Sequence, residues 1–122
     1  MHDQACIILR QQQSSLAERA VDLLYTRYPE VWKPYGHPGR VKSVRDAGYH
    51  LLYLTEALEA QSPQMFIEYL GWVKSIFANL HFSESVLPNT LESLRQALSE
   101  QLPAETLPPI LALLDAGMQS LP

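Results

Sequence analysis

The stretch Asp46–Leu58, DAGYHLLYLTEAL, decides the fold, because as a helix it has almost no wet side. Between Ala47 and Leu58 only His50, Thr55 and Glu56 are polar beyond a tyrosine hydroxyl. Val44, Ala47, Leu51, Leu54 and Leu58 recur at steps of three and four and mark one face. Tyr49, Leu52, Tyr53 and Ala57 mark much of the other. A helix apolar nearly all round is either a membrane span or the centre of a bundle. Spanning a bilayer takes about 20 mostly apolar residues, and this segment is shorter and interrupted by polar groups. It therefore reads as a central helix, from about Val41 to Ala60, with the other helices laid around it.

Working outward, Ser62-Pro63 opens the next helix, serine as cap and proline in the first turn. Phe66, Tyr69, Leu70, Val73, Ile76, Phe77 and Leu80 give that helix a wide apolar stripe. The connection through Gln61 is so short that the two helices must be antiparallel neighbours. Asn79–Ser83 forms a turn, and Ser83 is expected to cap a fourth helix ending near Leu102, with Leu87, Leu91, Leu94 and Leu98 as its seam. Pro103 starts a fifth, carrying Leu107, Ile110, Leu111, Leu114, Met118 and Leu121 inward. Pro88, Pro108 and Pro109 call for a bend, or a start one turn later, in each.

On the other side, a first helix runs from Asp3 or Gln4 toward Tyr28, with Ile8, Leu9, Leu16, Ala20, Leu23 and Leu24 inward. Gln11–Ser15 is a polar patch in a helix that is continuous or gently interrupted. Pro29–Gly39 reads as the one long irregular piece, with a single helical turn at PEVW and two prolines and two glycines after it. Trp32 and Tyr35 are expected to lie across an open end of the bundle as a lid. The expectation is an all-α single domain over residues 1–122, about five helices around a buried central one, with a globin-like shape as one form it can take.

Composition narrows the function. A chain of 122 residues is one domain with room for a real core. Only 18% of residues are charged, which implies heavy burial or a docking surface. A net charge of −4 gives nucleic acid no electrostatic reason to bind, and Arg40, Lys42 and Arg45 read as a solvated face. The single cysteine, Cys6, excludes an internal disulfide and a cysteine-based zinc site, and beside Ile7 and Ile8 it reads as a small packing residue. Met1-His2-Asp3 lacks a basic start followed by an apolar run, so the cytoplasm is the expected location and no membrane attachment is expected.

No reactive constellation emerges. His50 reads first as a core histidine bonded to a tyrosine or a carbonyl, and second as an axial ligand to a haem or corrinoid. His37 and His81 fall in connections, and no pair of ligands lies one turn apart as a metal-binding helix requires. Glu56 and Glu68 read as solvated edges rather than an acid–base pair, and Ser14-Ser15 lacks the strand-turn setting of a nucleophile. No metal, no catalytic residue and no particular cofactor is assigned, and an enzyme is not expected. Tyr49, Tyr53, Phe66, Tyr69, Trp72 and Phe77 crowd two adjacent helices, either as core packing or as a pocket for a flat or fatty ligand, whose candidate residues are Tyr49, His50, Tyr53, Phe66, Tyr69 and Trp72. Leu52 and Ile67 lie off the main stripes and hint at a self-complementary dimer patch.

The run from Tyr28 to Phe77 resembles the N-terminal helical module of bacterial sensory proteins that precedes a cobalamin-binding or signalling output domain. The shared pattern is Tyr-His-Leu-x-Tyr-Leu, then Ala-Leu, then Phe-x-x-Tyr-x-x-Trp, here Tyr49, His50, Leu51, Tyr53, Leu54, Ala57, Leu58, Phe66, Tyr69 and Trp72. That resemblance implies a non-enzymatic sensory or regulatory module of signal transduction, partnered by a second copy or by an output domain, working alone or as part of a longer protein. The competing expectation is a globin-like ligand sensor holding haem, another tetrapyrrole or a fatty acid beside His50.

Overall fold

The computed structural model describes residues 2–121. Among them the chain is all-helical: α1 (His2–Arg27), α2 (Pro29–Trp32), a 3-10 turn (Lys33–Tyr35), α3 (Gly36–Glu59), α4 (Pro63–Asn79), α5 (Val86–Gln101), a second 3-10 turn (Ala104–Thr106) and α6 (Leu107–Gln119). Five long helices and one single-turn helix pack around a common core. The polar patch in α1 does not interrupt it. Ala5, Leu9, Leu16, Ala20 and Leu24 are buried, and the glutamines and serines fall largely on its wet side.

α3 is the central element, lying along α1 and against α4 and α6. Its inner face buries Ala47, His50, Leu51, Leu54, Thr55, Ala57 and Leu58. The outer face departs from expectation: the apolar residues in its middle stay open, between charged residues at both ends. Tyr49 is 51% exposed, Leu52 37% and Tyr53 43%. The apolar circumference of α3 therefore exceeds what its own neighbours cover.

α3 also starts earlier than its sequence implies. Pro38 and Gly39 read as loop, yet both lie in the first turn of the helix, where a backbone N–H has no intrahelical partner and proline does no harm. Gly36 enters with φ 59°, which a side chain would strain. At Gly39 a Cβ would collide with Tyr35, so the glycine lets the strap of α2 and the 3-10 turn press against the helix. Trp32 stacks on Tyr25 of α1 with ring centres 5.6 Å apart, and Tyr35 meets Phe82 edge-on at 6.5 Å.

The ends of α3 and α4 use the same device. Gln61 (φ 53°) and His81 (φ 62°) adopt left-handed backbone. Ser62 N–H then reaches back to Ala57 carbonyl oxygen at 2.9 Å, and Phe82 N–H to Phe77 carbonyl oxygen at 3.0 Å. Both are Schellman-type closures. Ser62 caps α4, its hydroxyl accepting from Met65 N–H at 3.3 Å. Ser83 does not cap α5 as expected: its hydroxyl turns to Ser85, and the helix starts at Val86. Pro88 then falls in the first turn of α5, and Pro108 and Pro109 in the first turn of α6, where none needs to bend a helix.

Candidate functional site

Residues three and four apart on α3 and on α4 meet across the helix pair and wall a cleft of about 390 Å³. Its walls are Asp46, Tyr49, His50 and Tyr53 from α3, and Tyr69, Trp72, Val73, Ile76 and Phe77 from α4. Tyr69 is the hub. Its ring stacks on Tyr53 at 4.1 Å, lies 6.3 Å from Trp72 and stands edge-on to His50 at 5.7 Å. Trp72 is 60% exposed at the mouth.

Five of the six residues singled out as a pocket thus come together. Phe66 does not join them on the wall. It is buried beneath Tyr69, ring centres 6.1 Å apart, and abuts Gly117 of α6. Asp46 was not anticipated, although it stands one turn before His50 on the same face of α3. Val73 and Ile76, which in sequence belong to the apolar stripe of α4, also line the cleft.

The cleft is electrostatically unusual. His50 Nδ1 and the Tyr69 hydroxyl are 2.6 Å apart, the tyrosine partner that the sequence allowed. Burial alone pushes the His50 pKa down to about 4, so the ring is neutral at pH 7. Burial also raises the Tyr69 pKa, with the Asp46 charge a smaller contribution, so the phenol is protonated. Whichever group donates, His50 Nε2 is left buried without a partner. Asp46 is itself pushed up by burial, an effect that Arg45 partly offsets.

The remaining candidates have structural tasks. Glu56 pairs with Arg10 at 3.8 Å, Arg40 with Asp22 at 2.7 Å, and His81 closes α4. His37 and Glu68 are exposed. Among the described residues no group of histidine, cysteine and carboxylate side chains is placed to hold a metal ion, and no helix is long and apolar enough to cross a membrane. A second hollow of about 670 Å³ lies between Lys74, Phe77, His81, Phe82, Leu87 and Leu121.

Fold and cleft together define an all-helical bundle with an aromatic groove and no reactive constellation. A family model described as "Phycobilisome protein" matches residues 4–121, and the chain belongs to that family, which has a globin-like fold. It is a family of light-harvesting, pigment-binding structural proteins and not of enzymes, and its members assemble into oligomers. No curated protein matches the chain.

The family match corrects the resemblance to a cobalamin-associated sensory module, and with it the reading as a signal-transduction or sensor domain with a signalling output partner. The physical reason is visible in the cleft. Tyr49, His50 and Tyr53 on α3 and Tyr69 and Trp72 on α4 recur at steps of three and four because that spacing puts them on the walls of one cleft, with Phe66 beneath. They report a shared geometry, not a shared signalling role.

A conjugated pigment can be tested against these residues. Flat rings, mostly apolar walls and a few polar atoms suit a planar ligand. The Asp46 carboxylate, whose Oδ1 accepts from Arg45, would offer an acceptor to pyrrole-type N–H groups. Covalent attachment does not fit. A thioether needs a reactive thiolate at the cleft, and the only cysteine, Cys6, is on α1, absent from the cleft wall and 4% exposed. Burial raises its thiol pKa, which suppresses the thiolate.

Proposed function

We propose that this chain is a non-enzymatic, globin-like member of the phycobilisome protein family that holds a tetrapyrrole non-covalently in the α3–α4 cleft, and that it assembles with a second copy of itself. The observation that carries the reading is the aromatic wall around Tyr69, open at Trp72 and backed by a neutral histidine and a part-buried carboxylate. Tyr53 and Trp72, both exposed, would hold the ligand by stacking, with Tyr69 backing Tyr53, Asp46 would orient its N–H groups, and Val73 and Ile76 would exclude water. The pigment would supply absorption of visible light.

Two alternatives fit the cleft less well. A haem iron would need His50 Nε2, which is sealed within the fold. A fatty acid would bring a carboxylate to a wall that contains Asp46 and no lysine or arginine.

Titration of the purified chain with biliverdin, followed by gel filtration and visible absorption, tests the proposal. The expected result is a shifted band that travels with the protein and is released by denaturant. Tyr53→Ala and Trp72→Ala should each weaken binding by about tenfold, on the scale of one lost aromatic contact. An unchanged biliverdin spectrum would sink the reading, as would binding indifferent to both substitutions.

A further inference from the structure

α3 carries a second periodicity that core packing does not use. Lys42, Arg45, Tyr49, Leu52, Glu56 and Glu59 follow one another at steps of three, four, three, four and three, and all six are exposed. That 3-4 spacing keeps all six on one narrow stripe of the helix, the periodicity on which two helices can lie side by side, with Tyr49 and Leu52 as its apolar centre and charges at both ends. Along it the side chains are sorted: two cations, then two apolar groups, then two carboxylates.

Turned end for end, this seam is its own complement. With two copies of α3 antiparallel about a point between His50 and Leu51, Lys42 meets the partner's Glu59, Arg45 meets the partner's Glu56, and Tyr49 meets the partner's Leu52. Every layer pairs either opposite charges or apolar groups. A contact of this kind is isologous, since each patch faces a copy of itself.

Intramolecular pairing leaves the ends unbalanced in the required sense. Arg10 of α1 serves both Glu56 and Glu59, so the acidic end keeps one carboxylate in excess. Arg45 leans on Asp46 at 3.3 Å, while Lys42 has no ion pair among the described residues, so the basic end keeps one cation in excess. In the middle, Tyr49 and Leu52 are left to water although they are apolar. Tyr53, equally exposed, flanks them and shares the cleft mouth with Tyr49.

We infer that the outer face of α3 is a two-fold antiparallel dimer seam whose occupant is a second copy of this chain. The inference specifies the self-assembly in the function proposed above. Ligand capture is a separate property, because the cleft walls belong to one chain.

Light scattering after size exclusion, on the full chain and two charge-reversed variants, tests the seam. The variants are Lys42→Glu with Arg45→Glu, and Glu56→Lys with Glu59→Lys. All four positions are exposed, so circular dichroism should show an intact fold in both. The wild-type chain should be a dimer. Each variant alone sets like charges together and should dissociate at least about a hundredfold more readily. An equimolar mixture of the two should recover the dimer, because the reversed ends match each other. A monomeric wild-type chain, variants as dimeric as wild type, or a mixture that stays monomeric would each overturn the seam. Biliverdin titration of the variant with Glu56→Lys and Glu59→Lys, two positions absent from the cleft wall, reports on the ligand proposal independently of that result.

Discussion

His50 is neutral because of where α3 puts it. The ring is 3% exposed, and its one partner is a phenol that burial keeps protonated. Its folded pKa of about 4 lies below the ordinary value of 6.5, so the unfolded chain takes up a proton that the folded chain refuses. The stabilising contribution of a neutral His50 is therefore complete above pH 6.5 and is lost as pH falls from there toward 4. The full window is worth roughly 3 kcal/mol. Asp46, with its raised pKa, acts in the opposite direction and remains in a His50→Phe variant. Urea midpoints measured from pH 7 down to pH 4 should fall more steeply for the wild-type chain than for His50→Phe. Equal slopes would show that the histidine is solvated. The same substitution removes the unpartnered Nε2, whose burial costs about 1–3 kcal/mol, so the variant should match or exceed wild-type stability at low pH.

At the scale of elements, Gly117 lets α6 press closely against Phe66 and Leu70 of α4. A Cβ built on Gly117 would stand 2.5 Å from one carbon of the Phe66 ring and 2.8 Å from Leu70 Cδ1. Gly117→Ala should thus cost about 1–3 kcal/mol by overpacking and push Phe66 toward Tyr69. Gly71, on the open side of α4 with nothing within 4 Å of its Cβ position, is the control: Gly71→Ala should stabilise by about 0.5–1 kcal/mol through helix propensity. Thermal melts of the two variants should move in opposite directions.

The same elements show what a sequence reveals and what it hides. The α4 start at Ser62-Pro63 was legible because capping is local chemistry. Ser83 has the same side chain, but its hydroxyl bonds to Ser85, a choice set by the turn. Pro38 and Gly39 read as breakers, and only their first-turn position makes them helical. Cleft residues on the flanks of two antiparallel stripes could be found by spacing. Phe66, one turn before Tyr69, could not be told from a wall residue without knowing that Gly117 opens a space beneath it. Asp46 escaped notice because a carboxylate beside Arg45 looks like an ordinary surface pair. The likeness to sensory modules failed for a related reason: periodic aromatics describe a groove and do not say what fills it.

For the whole molecule, a bundle whose central helix buries one face and leaves Tyr49, Leu52 and Tyr53 open on the other has more apolar surface than one chain covers. Under the functions proposed above, the cleft would use Tyr49 and Tyr53 and the α3 seam Tyr49 and Leu52. Arg95–Asp115 at 2.8 and 3.1 Å ties α5 to α6, and Arg19–Glu100 at 2.9 Å ties α1 to α5, so the far side of the bundle is braced by its own ion pairs. The side carrying the cleft and the outer face of α3 lacks those braces and is the one that the proposed ligand and partner would occupy.

Amide chemical shifts recorded during a biliverdin titration put the account to its most direct test. The account predicts perturbations concentrated at residues 46–53 of α3 and 69–77 of α4, with the Trp72 indole among the largest. Shifts centred on α5 and α6, on the hollow around His81 and Phe82, or on no residue at all would contradict it.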